Sequence, residues 1–542
     1  MQLPPFESVT SEEAKEENAE SERSYDIGVE ENPPALTIAF FAFQQVVASA
    51  GGMIVFPIIA AGFMCSTFGV RLPMMQGPAA AFLAPLVILN GMPRFRCNDN
   101  TGAANALTSN ASETSNWLEA IRTMQGAQIG GAIFEIALGC SGLVGLLARR
   151  IGPLTLAPTM LLLGLSMVPA ALGSMRKHWT SIGMTCGILL LVLYLRRLTI
   201  PIPQVRNGKL VWDRYPLLGM FSFLISLTVF WCLCAVLTAL DVLPEVSAAR
   251  TDANWEVLAE APFVRVPYPG QWGWPIFDVA LVCSYLAATL ASMVESLGDY
   301  MACAQAAREP PPPSHAASRG ILFEGVGCLI DGFLGSGTGM TTYSQNVGVV
   351  QATGVASRRV MQVAALALIL IGVFTKLCAF VASIPAPIIG ATFATGLSLV
   401  VGVGLSSLSR VDLTLGRNSA ILGVAIMFGY LIPNFVRAND GAVLSTGLLV
   451  LDQAVNTLLQ MEMVVGAFIG FALDSTVPGA SLEQRGFRTL KSSQTSNGTQ
   501  LQPTRVYDLP FGCQRLINKY PRLGKLPFMP PAKITTDVHT AG

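Results

Sequence analysis

Two carboxylates, Glu295 and Asp299, stand four residues apart in an apolar stretch that reads as one helix, Pro275–Ala307. Four-residue spacing puts both on one helical face. A carboxylate at membrane depth is costly, and its usual work is to hold a proton or cation or to accept hydrogen bonds from a polar solute. The bland alternative leaves both solvated at the mouth of the span, Asp299 being nearer the loop. A second group lies in GSGTGMTTYSQNVGVVQATGVASRR, residues 335–359. Gln345 and Asn346 each carry donors and an acceptor, which suits a planar polar ligand with mixed edges. Gly335, Gly337 and Gly339 weaken helix and allow close backbone approach. An extended stretch with a helix start near Gln345 would aim free N–H groups and a partial positive charge at a ligand. Alternatively, the two amides only cap the half-helix.

The elements that must position these groups follow from composition. The chain has 542 residues, 52% hydrophobic and 13% charged, with a mean hydropathy of +0.53. Soluble domains carry about 25% charged residues, so this is an all-α polytopic membrane protein. A polar, Gly-rich segment in such a chain survives at membrane depth only where it lines an internal cavity. Formal net charge is zero, which argues against a nucleic-acid partner. Three scattered histidines, His178, His315 and His539, and 11 cysteines without ligand spacing make no metal or hydrolytic constellation. Most of the cysteines sit in apolar runs as small buried hydrophobes, Cys97 has no obvious partner, and no structural disulfide is expected.

Residues 1–34 hold ten acidic residues against Lys15 and Arg23 and read as a disordered tail. Residues 35–473 form the transmembrane domain, with apolar spans from 36–62 onward. The segment 336–353 adds a broken span, for about thirteen spans on the ~20-residue criterion. Residues 474–542 read as a cytoplasmic, flexible tail. The turns bearing Arg149–Arg150, Arg196–Arg214, Arg308–Arg319, Arg358–Arg359 and Arg410–Arg417 alternate as cytoplasmic loops. The loop 91–126, with the sequon at Asn110, and the acidic loop 241–271 are expected outside. One place conflicts. Only about ten residues, ~15 Å of helix, separate the first span from Arg71. The N-terminus lies outside, or the first span is re-entrant, or a span is missing.

At this point the residues resemble a known family. Gln345-Asn346-Val347-Gly348, then Thr353 and Ser357-Arg358-Arg359, is similar to the signature of the nucleobase–ascorbate transporter family, solute carrier family 23. Glu295-Ser296-x-Gly298-Asp299-Tyr300, Arg71-Leu72-Pro73 with Gln76, Leu431-Ile432-Pro433-Asn434 and Asp474-Ser475-Thr476-Val477-Pro478-Gly479 carry the resemblance along nearly the whole chain. In overall look it is nearest the animal sodium-dependent vitamin C transporter branch.

The resemblance implies a uracil-permease-type fold: two inverted seven-span repeats, a core domain moving against a gate domain, short strands in the third and tenth spans, and a homodimer in the plasma membrane. It implies a secondary transporter coupled to Na⁺ or H⁺, with no other cofactor and no enzymatic activity. Glu295, Gln345, Asn346 and Ser344 would meet the substrate, with Asn346 also bracing the tenth span. Gln76, Gly77, Ala80 and Phe82 would belong to the facing strand. Asp299, Thr338, Gly348 and Thr353 would form the ion-coupling or structural network. Three departures matter. The vitamin C branch carries Pro where this chain has Gln345; Gln there is similar to nucleobase carriers, as is Gln76-Gly77. Gln44-Gln45 stands where many members have Gln-His. The family's second span falls at 62–70, where this chain is short. Expectation therefore leans to a nucleobase over ascorbate, with a non-transporting form as the rival from another class.

Overall fold

The computed structural model describes residues 27–49, 63–82, 110–206, 209–253, 255–381, 383–439, 449–487, 505–510 and 513–531, with isolated positions between them. It is mostly helical. The principal helices are α1 (Ala35–Ser49), α2 (Asn110–Ser141), α3 (Pro153–Ser166), α4 (Thr180–Leu189), α5 (Ser222–Ala239), α6 (Val279–Ala306) and α7 (Ser314–Leu334). After them come α8 (Ser344–Thr353), α9 (Arg358–Val373), α10 (Ala386–Ser406), α11 (Gly416–Ala438), α12 (Leu449–Leu459) and α13 (Glu462–Thr476). Four short strands interrupt them: β1 (Gln76–Pro78), β2 (Ile200–Arg206), β3 (Lys209–Tyr215) and β4 (Met340–Thr342). The β2–β3 antiparallel hairpin is an addition to the expected all-α plan.

Among the described residues, five helices are long and apolar enough to cross a membrane. The bent pair Arg358–Val373 and Thr375–Val381 makes a sixth if counted as one span. The long helix α2 and the helix α7 do not qualify, and the reason is their polarity. α2 buries Gln125, Gln128 and Glu135, and α7 buries Arg319, Glu324 and Asp331. Such side chains are tolerated where a helix faces protein instead of lipid. The two helices pack against each other. At Gly325 a Cβ would stand 2.9 Å from the Ile136 backbone nitrogen, so only glycine permits this approach.

Helix α6 is the ruler of the molecule. Pro275 precedes it, and the Asp278 side chain caps it by accepting from the Leu281 N–H at 3.1 Å, a standard N-cap arrangement. Twenty-eight residues span ~42 Å. At its start Arg122 Nε donates to the Trp274 carbonyl at 2.8 Å, and Gln271 reaches the Leu334 carbonyl. Thus the N-terminal half of α2, which begins at Asn110 within the expected loop 91–126, meets the segment 271–274 and the end of α7 at one end of the molecule. At the other end Pro310 accepts from the Tyr507 hydroxyl, Phe487 lies against Gly152, and Pro527 against Gly142. The turns carrying Arg149, Arg308, Arg358 and Arg410 share this end with the C-terminal segment.

The described parts of both terminal segments pack on the rest of the protein. Ile27 pairs with Val355, and the Arg358 N–H donates to the Val29 carbonyl at 3.2 Å. Segments 481–487, 505–510 and 513–531 lie back on the protein, with Tyr507 fully buried. Their aromatic and aliphatic residues find apolar partners that composition alone does not reveal. Residues 27–31 and 67–71 both meet the turn 354–362, so both ends of this stretch lie at one end of the molecule. The connection, residues 50–62, is outside the described residues, and with it the expected loss of the second span. Cys97, most of the loop 91–109 and the sequon at Asn497 are outside them too.

Candidate functional site

The polar Gly-rich segment does what its composition requires. Helix α7 ends at Gly335, whose φ of 80° is left-handed. The chain then extends through β4 and re-enters helix at Ser344. β4 pairs antiparallel with β1 in the register Gln76↔Thr342, Gly77↔Thr341, Pro78↔Met340. The two interrupted spans therefore meet backbone to backbone near the middle of the protein. A Cβ at Gly77 would stand 2.2 Å from the Tyr343 ring, so glycine is obligatory there. The expected strand from Gln76 to Phe82 is shorter than anticipated: it stops at Pro78, and Ala80–Phe82 is a single 3-10 turn. Phe82 packs under Gly339 and 5.5 Å from the Tyr285 ring.

Helix α6 lies behind the strand pair. Ser292 donates to the Met340 carbonyl at 3.0 Å. The Thr342 N–H donates to Ser296 Oγ at 3.1 Å. Ser296 Oγ in turn donates to Glu324 Oε1 at 2.5 Å, and Tyr300 donates its hydroxyl to Glu324 Oε2 at 3.0 Å. Asp299 is fully buried and accepts from Ser344 Oγ at 2.6 Å, tying α6 to the first residue of α8. The solvated alternative for this carboxylate is therefore excluded. Glu295 is also buried.

The side chains singled out by sequence separate into two sets. Gln76 Oε1, Glu295 Oε2, Asp299 Oδ1 and Gln345 Oε1 are buried with no hydrogen-bond partner. An unmet buried polar atom costs about 1–3 kcal/mol, and all four belong to residues around the broken-span crossing. The others are committed to the scaffold. Asn346 donates to the Gln45 side chain at 2.6 Å and to the Gln45 carbonyl at 3.3 Å, so it braces α8 against α1. Gln45 thus does bracing work. Ser344 is engaged with Asp299 as described. Gly348 sits where α8 crosses α10, facing the Gly396 carbonyl. Thr353 caps the end of α8, donating to the Val349 carbonyl and accepting from the Val355 N–H. Thr338 offers its carbonyl to Gln128 Nε2 at 2.9 Å.

A cavity of about 220 Å³ opens beside this crossing, with Ala81 and Glu295 on one wall. The facing wall comes from α3, α11 and the α12–α13 turn, through Met167, Arg437, Thr457 and Met461. Arg437 holds Glu462 at 2.7 Å. Gln76, Ser344, Gln345 and Asn346 do not line this cavity. The volume is below the ~300 Å³ where drug-sized pockets begin, a size for a small solute. The sequence reading missed Glu324, Glu135 and Asp331, all buried. The rule that flagged Glu295 applied to them equally; they escaped because α2, which carries Glu135, and α7, which carries Glu324 and Asp331, do not stand out as functional helices.

A permease-family model matches residues 32–437. Solute carrier family 23 member 1 of Rattus norvegicus is 39% identical over 89% of this chain and 85% of its own length. Nucleobase-ascorbate transporter 1 of Arabidopsis thaliana is 34% identical over 83% of this chain and 84% of its own. Among solved structures, the transmembrane domain of the cyanobacterium bicarbonate transporter BicA covers 80% of this chain and all of that one. Its TM-score is 0.35 at 14% identity, too slight a likeness to carry an argument. On the family match and these identities, the chain belongs to the permease family that holds solute carrier family 23 and the plant nucleobase–ascorbate transporters: it is a multi-pass membrane transporter and not an enzyme.

Proposed function

We propose that this protein is a secondary active transporter of a nucleobase, of the xanthine, uric acid or uracil type, working by alternating access at the plasma membrane. One observation carries the reading. Gln345, at the head of α8, keeps a buried amide whose oxygen has no partner, at the place where the vitamin C branch carries Pro. An amide can pair with both donor and acceptor edges of a heterocycle; Pro cannot. Glu295 Oε2 and Gln76 Oε1 add buried acceptors around the same crossing. In this reading Glu295 accepts from ring N–H groups, and Gln345 both donates and accepts.

The movement follows from where Glu295 sits. One wall of its cavity belongs to the strand-bearing helices and the other to α3, α11 and the α12–α13 turn. Sliding one group past the other would carry a bound solute from one face to the opposite one, as core and gate domains of inverted repeats do. Asp299, held by Ser344, is the carboxylate proposed to couple the α8 head to Na⁺ or H⁺. The Arg-rich end with both tails is assigned to the cytoplasm, and a homodimer is the proposed assembly.

Ascorbate is the second reading, favoured by the higher identity to solute carrier family 23 member 1 than to the plant relative. Uptake of radiolabelled xanthine, uracil and ascorbate, each with and without Na⁺, separates the two. Saturable ascorbate uptake with no nucleobase uptake would overturn the nucleobase assignment. No uptake of any of the three despite surface expression would identify a non-transporting form.

A further inference from the structure

A second cavity, of about 300 Å³, lies at the end of the molecule that carries both tails. Its lining includes Glu30, Thr67, Arg71, Arg358, Arg359 and Pro510. Four separate pieces of chain build it: the N-terminal segment, the turn before β1, the start of α9 and the C-terminal segment. Arg71 is buried, with 9% of the residue exposed. It has no hydrogen-bond or ion-pair partner among the described residues, and its Nε is enclosed and unmet. Its backbone sits at φ 67°, a left-handed conformation that bulky residues adopt only when the surroundings enforce it. Arg358 is spent on backbone, donating Nε to the Arg71 carbonyl at 2.9 Å and Nη2 to the Val506 carbonyl at 3.0 Å. Arg359 is exposed and has no ion-pair partner among the described residues.

The lining thus sets three guanidinium groups against one carboxylate, Glu30. Asp508 also faces Arg71 and Arg319, Glu309 faces Arg358, and Arg319 adds a further positive charge beside Arg71. A buried guanidinium without an acceptor is an expensive arrangement unless an anion completes it. Forked guanidinium donors match the oxygens of a phosphate group in pairs. Thr67 Oγ1, bonded to Gln362 at 2.8 Å, stands in the same wall.

We propose that this cavity is a binding site for a phosphate-type anion, with Arg71 and Arg359 as its principal donors. Occupancy ties together both terminal segments, the turn leading to Gln76 and the helix following Gln345. Through those connections an anion at this end holds the β1–β4 crossing in one arrangement. The anion has two sources, free phosphate or the phosphorylated headgroup of an inositol lipid.

The test uses the full-length protein purified in detergent and in nanodiscs. Inorganic phosphate is titrated against thermal stability in detergent. Separately, the protein is stabilised in phosphatidylcholine discs with and without about 5 mol% phosphatidylinositol 4,5-bisphosphate, a proportion chosen so that a polybasic site would be occupied. Saturable stabilisation by phosphate assigns the free anion; stabilisation by the lipid alone assigns the headgroup. Either result supports the site if Arg359→Gln, an exposed substitution that spares the fold, weakens binding about tenfold, the loss of one charge-assisted bond. Glu30→Gln is expected to tighten binding, and Arg71→Gln to abolish it if that variant folds. No saturable effect of either probe, or equal binding by the wild type and Arg359→Gln, overturns the proposal.

Discussion

Replacing Gln345 tests the substrate assignment most directly, because the fold isolates its side chain. Gln345 is the second residue of α8, where backbone N–H groups have no intrahelical acceptor. Its N–H makes no backbone hydrogen bond among the described residues, whereas the next one, Asn346, donates to the Tyr343 carbonyl. Gln345→Ala therefore removes the amide and leaves the helix start unchanged, since Ala is the best helix former. Gln345→Pro also removes no backbone bond, and Pro is tolerated in a first helical turn. If the amide makes two neutral hydrogen bonds to a bound base, each contributes about 0.5–1.5 kcal/mol. The pair is then worth about 1–3 kcal/mol, or about 5- to 150-fold in kcat/KM. Uptake of radiolabelled xanthine and uracil, normalised to surface protein by biotinylation, measures it. Ascorbate uptake by the same cells is the internal comparison. Nucleobase uptake at the wild-type level in both variants would refute the role given to Gln345, and a larger loss for ascorbate than for xanthine would reverse the substrate order.

Other consequences of the geometry are open to measurement. Asn346→Ala and Gln45→Ala should each destabilise the protein, and a double-mutant cycle on thermal unfolding should show a coupling of about 0.5–3 kcal/mol; zero coupling would remove Gln45 as the brace of α8. Gly77→Ala drives a methyl group into the Tyr343 ring, for an expected loss of about 1–3 kcal/mol, recovered in part by Tyr343→Leu; an unperturbed Gly77→Ala would contradict the strand pairing. Asp474 is buried between Arg417 and Arg485 at 3.1 and 2.9 Å, so Asp474→Ala leaves two guanidinium groups without their partner, at a cost of about 3–5 kcal/mol, seen as reduced surface expression and melting temperature. In the loop after α5, the Arg250 hydrogen bond holds the Asp252 carboxyl below its usual range. A depressed carboxylate pKa stabilises above the unfolded value and is lost as pH falls through the folded one. Amide exchange in residues 241–252 should therefore be flat from neutral pH to the ordinary carboxylate range and rise only under stronger acid, once intrinsic exchange is corrected; an unchanged profile in Arg250→Ala would refute the assignment.

Composition and local pattern by themselves determined that this is a helical membrane protein. The five or six apolar spans among the described residues are legible because hydrocarbon imposes long apolar runs. The same constraint made 335–359 conspicuous, since a stretch so polar has to line protein, and the expected extended segment with a helix start near Gln345 is met by a helix that begins at Ser344. The pairing of Glu295 and Asp299 on one helix was also legible, as it depends only on helical period. What those residues touch was not. That Asp299 is held by Ser344, that the partner Asn346 braces against is Gln45, and that Gln76 faces Thr342 all depend on contacts between residues some 45 to 301 positions apart. The polar helix α7 hid its buried Glu324 for a related reason: a span facing protein is free of the apolar rule that makes lipid-facing spans readable. The tails show the limit most plainly. A charged, apolar-poor segment reads as disordered by composition, yet Ile27, Val29 and Tyr507 find their partners only after the distant turns at Pro310 and Val355 have been brought to the same end of the molecule.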